Sequence, residues 1–174
     1  VKKRFMPAFV PIETAVVTGK PDLDIIKFAQ ENHTDLIIMS THGRSGINRW
    51  SFGRTAEKVL RRSPCPTIIL RSGKAVELEK FDRILLPLDG SPLAERVIAP
   101  VLDMVKALGV ELYLIRVVEP GFFYGFGHNN APIEAEIEEA QTYLAEVRDR
   151  LLQQGITAQS HVAVGSATDE IVDY

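Results

Sequence analysis

Residues Asp35 to Arg71 read DLIIMSTHGRSGINRWSFGRTAEKVLRRSPCPTIILR, and the order of features along them decides the fold. Leu36 to Met39 is a short apolar run within a strand, Asp35 to Ser40, that stops at the polar turn Ser40-Thr41-His42-Gly43. A glycine-bearing loop leads to Gly53-Arg54-Thr55, which opens the helical run Ala56-Glu57-Lys58-Val59-Leu60. Thr67 to Leu70 closes the unit as a second apolar strand. Glycines after a strand and before a helix let backbone N–H groups approach an anion closely, and the helix N-terminus adds partial positive charge. This is the layout of a phosphate cradle.

Working outward, Glu13 to Thr18 predicts a strand, Gly19-Lys20-Pro21 a turn, and Asp22 to Asn32 a helix with Leu23, Ile26 and Ala29 on one stripe. Phe52 to Arg62 is the helix after the cradle loop. The polar stretch from Arg71 to Lys80, with Ser72-Gly73-Lys74, predicts a linker centred on residues 74–79. Beyond it, Arg83 to Asp89 is a nearly continuous apolar run, the pattern of a strand buried on both faces. Asp89-Gly90-Ser91-Pro92 signals a helix start, with Ser91 as N-cap and Pro92 at the first helical position. That helix is predicted to run to about Leu108, before Gly109. Glu111 to Val118 predicts a strand, Gly121 to Asn130 a glycine- and aromatic-rich loop, and Pro132 to Gln154 a long amphipathic helix. Gly155 ends it, and Thr157 to Val164 predicts the last strand.

Strands alternating with helices argue for a parallel α/β sheet. An internal repeat adds to this: VVTGKPDLDIIKF (Val16 to Phe28) aligns with VAVGSATDEIVDY (Val162 to Tyr174), 146 residues on. Gly19 matches Gly165, Asp24 matches Glu170 and Ile25 matches Ile171. The same strand–turn–helix start occurs twice, which implies tandem domains.

Composition narrows the function classes. The chain has 174 residues, 45% apolar and 25% charged, which predicts a soluble protein with a real core. No apolar run reaches membrane-span length and no signal peptide is visible, so no membrane association is expected. The lone cysteine, Cys65, excludes an internal disulfide and fits a reducing cytoplasm. Residues 1–73 hold 12 Lys+Arg against 6 Asp+Glu, and residues 74–174 hold 8 against 17. The basic half concentrates Arg44, Arg49, Arg54, Arg61 and Arg62 around the cradle with only Trp50 and Phe52 as aromatics. A small anion or an acidic protein surface accounts for that charge without nucleic acid. The histidines, His33, His42, His128 and His161, have no metal-ligand spacing, so no metal held by protein alone is expected. Ser91 lies in no nucleophile elbow and no base is spaced to activate it, so no dedicated catalytic constellation is present.

The stretch from Ser40 to Thr55 resembles the C-terminal signature of the universal stress protein family, whose nucleotide-binding members carry Gly-x2-Gly-x9-Gly-(Ser/Thr). Gly43 and Gly53 stand at that spacing, with Gly46 between them. Two positions depart: Ser40 replaces the first glycine, and Arg54 replaces the hydroxyl residue, with Thr55 one place later. The resemblance implies an open parallel five-stranded sheet with helices on both faces, Rossmann-like and of the adenine nucleotide alpha hydrolase-like type. It implies that residues 1–73 are the later part of one domain and 80–174 the earlier part of a second, so that the chain is expected to be a fragment of a tandem protein. The halves either complement into one sheet in permuted order or remain two incomplete domains.

The resemblance also implies a site. Asp89 would contact the nucleoside and Val117 the adenine, while Ser40, Gly43, Gly46, Gly53, Arg54 and Thr55 would surround the phosphates. The implied ligand is ATP, with any Mg2+ arriving on the nucleotide, and the implied assembly a homodimer through the edge strand Thr67 to Leu70. The expected function is a cytoplasmic, adenine-nucleotide-binding regulatory or stress-protective module, with at most slow ATP hydrolysis. The alternative is a relative that binds no nucleotide and acts through protein–protein contacts, which Ser40 and Arg54 favour. An α/β enzyme such as a nucleotidyl transferase or phosphatase would need a carboxylate cluster, and Asp89 alone sits at a suitable strand end.

Overall fold

A computed structural model describes residues 11–40, 53–70, 81–120 and 131–174. The chain divides into two compact units, Val1–Val76 and Glu77–Tyr174. The linker expected at 74–79 and the loop expected at 121–130 lie outside the described residues.

In the first unit the described elements are α1 (Pro21–Glu31), β1 (Ile37–Ser40), α2 (Arg54–Arg62) and β2 (Thr67–Leu70). β1 and β2 pair in parallel, from Ile37 opposite Thr67 to Ser40 opposite Leu70. Pro21 opens α1 at the position where its missing N–H costs nothing. α1 packs beside α2, burying Ala29, Ala56 and Val59, and Lys58 of α2 reaches Asp22 of α1 at 3.5 Å.

Residues 13–18, expected as a strand, belong to no ladder here, and Val16 is 98% exposed. The matching repeat residues Val162 and Ala163 are half-buried and buried, because there the segment pairs with a neighbour. A β-pattern becomes a strand only where a partner satisfies its N–H and C=O groups.

The second unit contains β3 (Arg83–Pro87), α3 (Pro92–Glu95), α4 (Ile98–Leu108), β4 (Glu111–Val118), α5 (Ala131–Gln153), β5 (Ala158–Val164) and α6 (Ala167–Asp173). Its sheet is parallel in the order β3-β4-β5. Side chains alternate across it. Leu112 and Leu114 of β4 join Leu86 and Leu88 in a core with Leu102 and Val105 of α4 and Leu144, Val147 and Leu151 of α5. Ile115 and Val117 point to the other face, where α6 packs on β4. The fold is thus α/β with parallel sheets, and this sheet carries helices on both faces. The five strands are divided between a two-stranded and a three-stranded sheet, in place of the single five-stranded sheet expected, because each unit pairs only its own strands.

The helix expected from Ser91 to Leu108 is interrupted at Arg96 and Val97, whose N–H groups bond to Leu93 and Ala94 at i−3 spacing. Pro100 explains the break: it has no N–H for the Arg96 carbonyl, and its ring crowds that carbonyl. Gly109 caps α4 at φ 67°, donating its N–H to the Val105 carbonyl, and Gly155 follows α5 at φ 77°.

Leu144 is 1% exposed at the centre of the core, so Leu144→Ala should lower the unfolding free energy by about 2–5 kcal/mol in a denaturant titration. Ser91 accepts the Ala94 N–H at 3.1 Å, and Ser91→Ala should cost about 1 kcal/mol by the same measurement.

Candidate functional site

The Leu88 N–H bonds to the Ile115 carbonyl at 2.9 Å, carrying the β3–β4 ladder one residue beyond β3. The chain then leaves the sheet at Asp89. Asp89 Oδ1 accepts the Ser91 N–H at 2.8 Å, an Asx turn, and Ser91 in turn caps α3. Between them Gly90 takes φ +85°, a left-handed conformation that L side chains rarely adopt. Hydrogen bonds from Ser91, its side chain first and its N–H second, hold the Asp89 carboxyl below the usual carboxylate range; the positive charge of Arg116 adds a smaller effect. Asp89 is an exposed, ionised acceptor in a turn that two hydrogen bonds define.

Beside it lies a cavity of about 240 Å3, lined by Pro87, Leu88, Asp89, Ala94, Ile115, Val117, Ala167 and Ile171. Asp89 and Val117, chosen from sequence for different strand ends, therefore face one space. It opens at the carboxyl ends of β3 and β4, where open α/β sheets bind ligands. One wall is the start of α6, tied to the end of β4 by two bonds: the Gly165 N–H to the Val118 carbonyl at 3.1 Å, and the Ala167 N–H to Glu119 Oε1 at 2.8 Å. Gly165 stands close to the Glu170 carboxylate: a Cβ built there would sit 2.5 Å from Glu170 Oε1, so a larger residue would have to turn that side chain aside.

The internal repeat reproduces this wall in the first unit. Gly19 stands against the Asp24 carboxylate as Gly165 stands against that of Glu170. The Asp24 and Glu170 N–H groups bond to Lys20 and Ser166 carbonyls, both at 2.9 Å. Pro21 and Ile25, which match Ala167 and Ile171, line a cavity of about 490 Å3 with Val17 and Phe28.

The expected phosphate residues lie in the first unit. Ser40 is the last residue of β1, opposite Leu70. Gly53 is the N-cap of α2 at φ −59°, Arg54 begins the helix exposed to solvent, and Thr55 follows half-buried. A glycine N-cap offers no side-chain oxygen to the first-turn N–H groups of α2. Gly43 and Gly46 lie outside the described residues, as do His42, Arg44 and Arg49. Cys65 is half-buried in a turn where Ser63 Oγ donates to the Cys65 carbonyl at 2.6 Å. Among the described residues no group of three or more His, Cys, Asp or Glu side chains could hold a metal ion, and no helix is long and apolar enough to cross a membrane.

Three participants escaped the sequence reading. Ala167 and Ile171 were visible only as partners of Pro21 and Ile25 in the repeat. Arg116 was signalled by its charge inside the apolar run of β4, and it lies against Gly90: a Cβ there would be 3.4 Å from Arg116 Nη1.

The profile of the universal stress protein family matches residues 2–71 and 80–174. Universal stress protein MJ0531 of Methanocaldococcus jannaschii is 35% identical over 74 residues, covering 42% of this chain and 44% of that protein. Universal stress protein Rv2005c of Mycobacterium tuberculosis is 27% identical over 114 residues, covering 63% of this chain and 39% of that protein. The chain thus spans about two-fifths of the length of these curated relatives. The crystal structure of a universal stress protein from Archaeoglobus fulgidus superposes with a TM-score of 0.65 at 25% identity, over 89% of this chain and 51% of that one. With both matched segments together taking in nearly its whole length, the chain belongs to the universal stress protein family.

Proposed function

We propose that this chain is an adenine-nucleotide-binding module, taking ATP or a related nucleotide in a regulatory or stress-protective role. The observation that carries the reading is the convergence of Asp89 and Val117 on one cavity at the carboxyl ends of β3 and β4. An ionised Asp89 accepts hydrogen bonds from the nucleoside, and Val117 with Ile115 and Ile171 offers apolar surface to a base. At about 240 Å3 the cavity is smaller than the ~300–1,000 Å3 of drug-sized ligand pockets, which suits a nucleoside portion with its phosphates outside.

The first unit, taken by itself, has its own anion-binding features: the start of α2 offers N–H groups with the helix dipole behind them, Arg54 a guanidinium and Thr55 a hydroxyl. With Ser40, Gly43, Gly46 and Gly53 they form the phosphate-facing set proposed for that unit. A magnesium ion would come with the nucleotide. We expect slow hydrolysis at most. We place the protein in the cytoplasm as a homodimer paired through β2, whose second edge carries no ladder among the described residues. The parts of two tandem domains remain our reading of the two units.

Asp89→Ala should weaken ATP and adenosine binding about 10- to 100-fold by calorimetry, the loss of a hydrogen bond to a charged group. Filling the cavity with Val117→Trp should abolish adenosine binding while cooperative thermal unfolding persists. Because the folded-state pKa of Asp89 is depressed, its stabilising effect is complete above the unfolded value and is lost as pH falls through the folded one. Adenosine affinity should therefore be flat from about pH 5 to 8 with respect to Asp89 and fall only below its ordinary pKa, about 3.9.

A second reading has its own support. Ser40 and Arg54 depart from the nucleotide-binding signature, as expected of a relative that works through protein contacts. A folded chain that binds neither ATP nor adenosine would favour it.

A further inference from the structure

β4 reads Glu-Leu-Tyr-Leu-Ile-Arg-Val-Val, and its arginine lies near the carboxyl end, where neighbouring residues are apolar. Alternation places Arg116 on the face of Leu112 and Leu114, toward α5, and Val117 on the cavity face. The Arg116 side chain is only 18% exposed. A cation this enclosed needs partners. Its Nη2 lies 3.4 Å from Glu139 Oε1, a long bond to a side chain that is itself 73% exposed. Its guanidinium carbon lies 5.3 Å from the centroid of the Tyr143 ring. The third neighbour is the turn at Gly90, at packing distance: a Cβ built there would lie 3.4 Å from Nη1 and 3.7 Å from Nη2, an ordinary van der Waals separation.

The Tyr143 side of this arrangement is insensitive to pH over the ordinary range. Burial first, and the nearby Glu95 carboxylate second, push the Tyr143 hydroxyl up to about 12. Among the described residues that hydroxyl has no hydrogen-bond partner at bonding distance. Glu95 is itself held by Arg150 through two bonds of 3.1 and 2.9 Å. Among the described residues, the groups facing Arg116 are thus Glu139 and the neutral Tyr143 on α5, and Asp89 through the turn after β3.

We propose that Arg116 is a positioning residue for the nucleoside cavity: anchored on α5 by Glu139 and Tyr143, it supports the Asp89–Gly90 turn from the opposite face of the sheet and so sets where the Asp89 carboxylate meets a ligand. The inference rests on the nucleotide reading for its ligand and on this geometry for the residue.

The test compares the 174-residue chain with Arg116→Gln and Arg116→Lys, using adenosine calorimetry and NMR titration of the Asp89 carboxyl without ligand. Arg116→Gln should unfold cooperatively, bind adenosine about tenfold more weakly and titrate Asp89 at higher pH. Arg116→Lys should bring the Asp89 midpoint back toward the parent. A folded Arg116→Gln with unchanged affinity and unchanged midpoint overturns the proposal. If Arg116→Gln does not fold, Glu139→Gln and Tyr143→Leu loosen the anchor with the cation retained: weaker adenosine binding in both supports it, and unchanged affinity in either overturns it. Should the parent chain bind neither adenosine nor ATP, the nucleotide reading fails separately. The ligand-free Asp89 midpoint then decides the role of Arg116 in the turn, and a midpoint unmoved by Arg116→Gln rejects it.

Discussion

β4 is hydrogen-bonded on both sides, and the second unit depends on that double ladder. Pairing with β3 and β5 satisfies its backbone and lets Leu112, Leu114 and Ile115 be fully buried without stranded polar groups. Register then follows. Leu114 stands opposite Leu86 and Ser160, so one face builds the core with α4 and α5. β4 and β5 end together, Val118 opposite Val164, while β3 stops opposite Ile115, so the turn after β3 leaves the sheet alongside the last residues of β4 and the turn after β5 leaves at its end. The cavity is the space left where those three exits diverge.

A parallel sheet gives this arrangement its chemistry. All three chains leave on the same side, so Asp89, Val117 and the start of α6 collect there whatever the details of the loops. The turn at Asp89 is built from short-range bonds, the Ser91 N–H to Asp89 and the Ala94 N–H to Ser91, with Gly90 supplying a left-handed residue between them. Those bonds set the carboxylate's direction, while the half-buried Arg116 side chain packs beside the turn at Gly90. Local capping chemistry and long-range sheet packing thus meet at one residue.

Much of this was legible beforehand. The limits of β2 and β4 coincide with the predicted strands Thr67–Leu70 and Glu111–Val118, because mostly apolar runs mark parallel strands; β2 is half-buried throughout and β4 buried at Leu112, Leu114, Ile115 and Val118. The long helix α5 followed from its stripe of Ile133, Ile137, Ala140, Leu144, Val147 and Leu151, of which the last four are buried and Ile133 and Ile137 half-buried. The break before α4 was missed, although Pro100 carried the signal, because the N-cap Ser91 and the terminal Gly109 dominate the pattern. Residues 13–18 carried strand propensity without a ladder, since propensity says nothing about whether a partner is present. At the site, Asp89 and Val117 were named through family resemblance, and their shared cavity is a matter of tertiary geometry. Arg116 went unnamed because the importance of a charge in a strand depends on what lies across the sheet.

The central claim is that the cavity at the ends of β3 and β4 is a nucleoside site. Its most direct test is an NMR titration of the isotopically labelled chain with adenosine. The account predicts saturable shifts confined to Asp89, Ile115, Val117, Ala167 and Ile171 and their sequence neighbours. Saturable shifts elsewhere with these residues unmoved, or no shifts from a folded chain at millimolar adenosine, would contradict it.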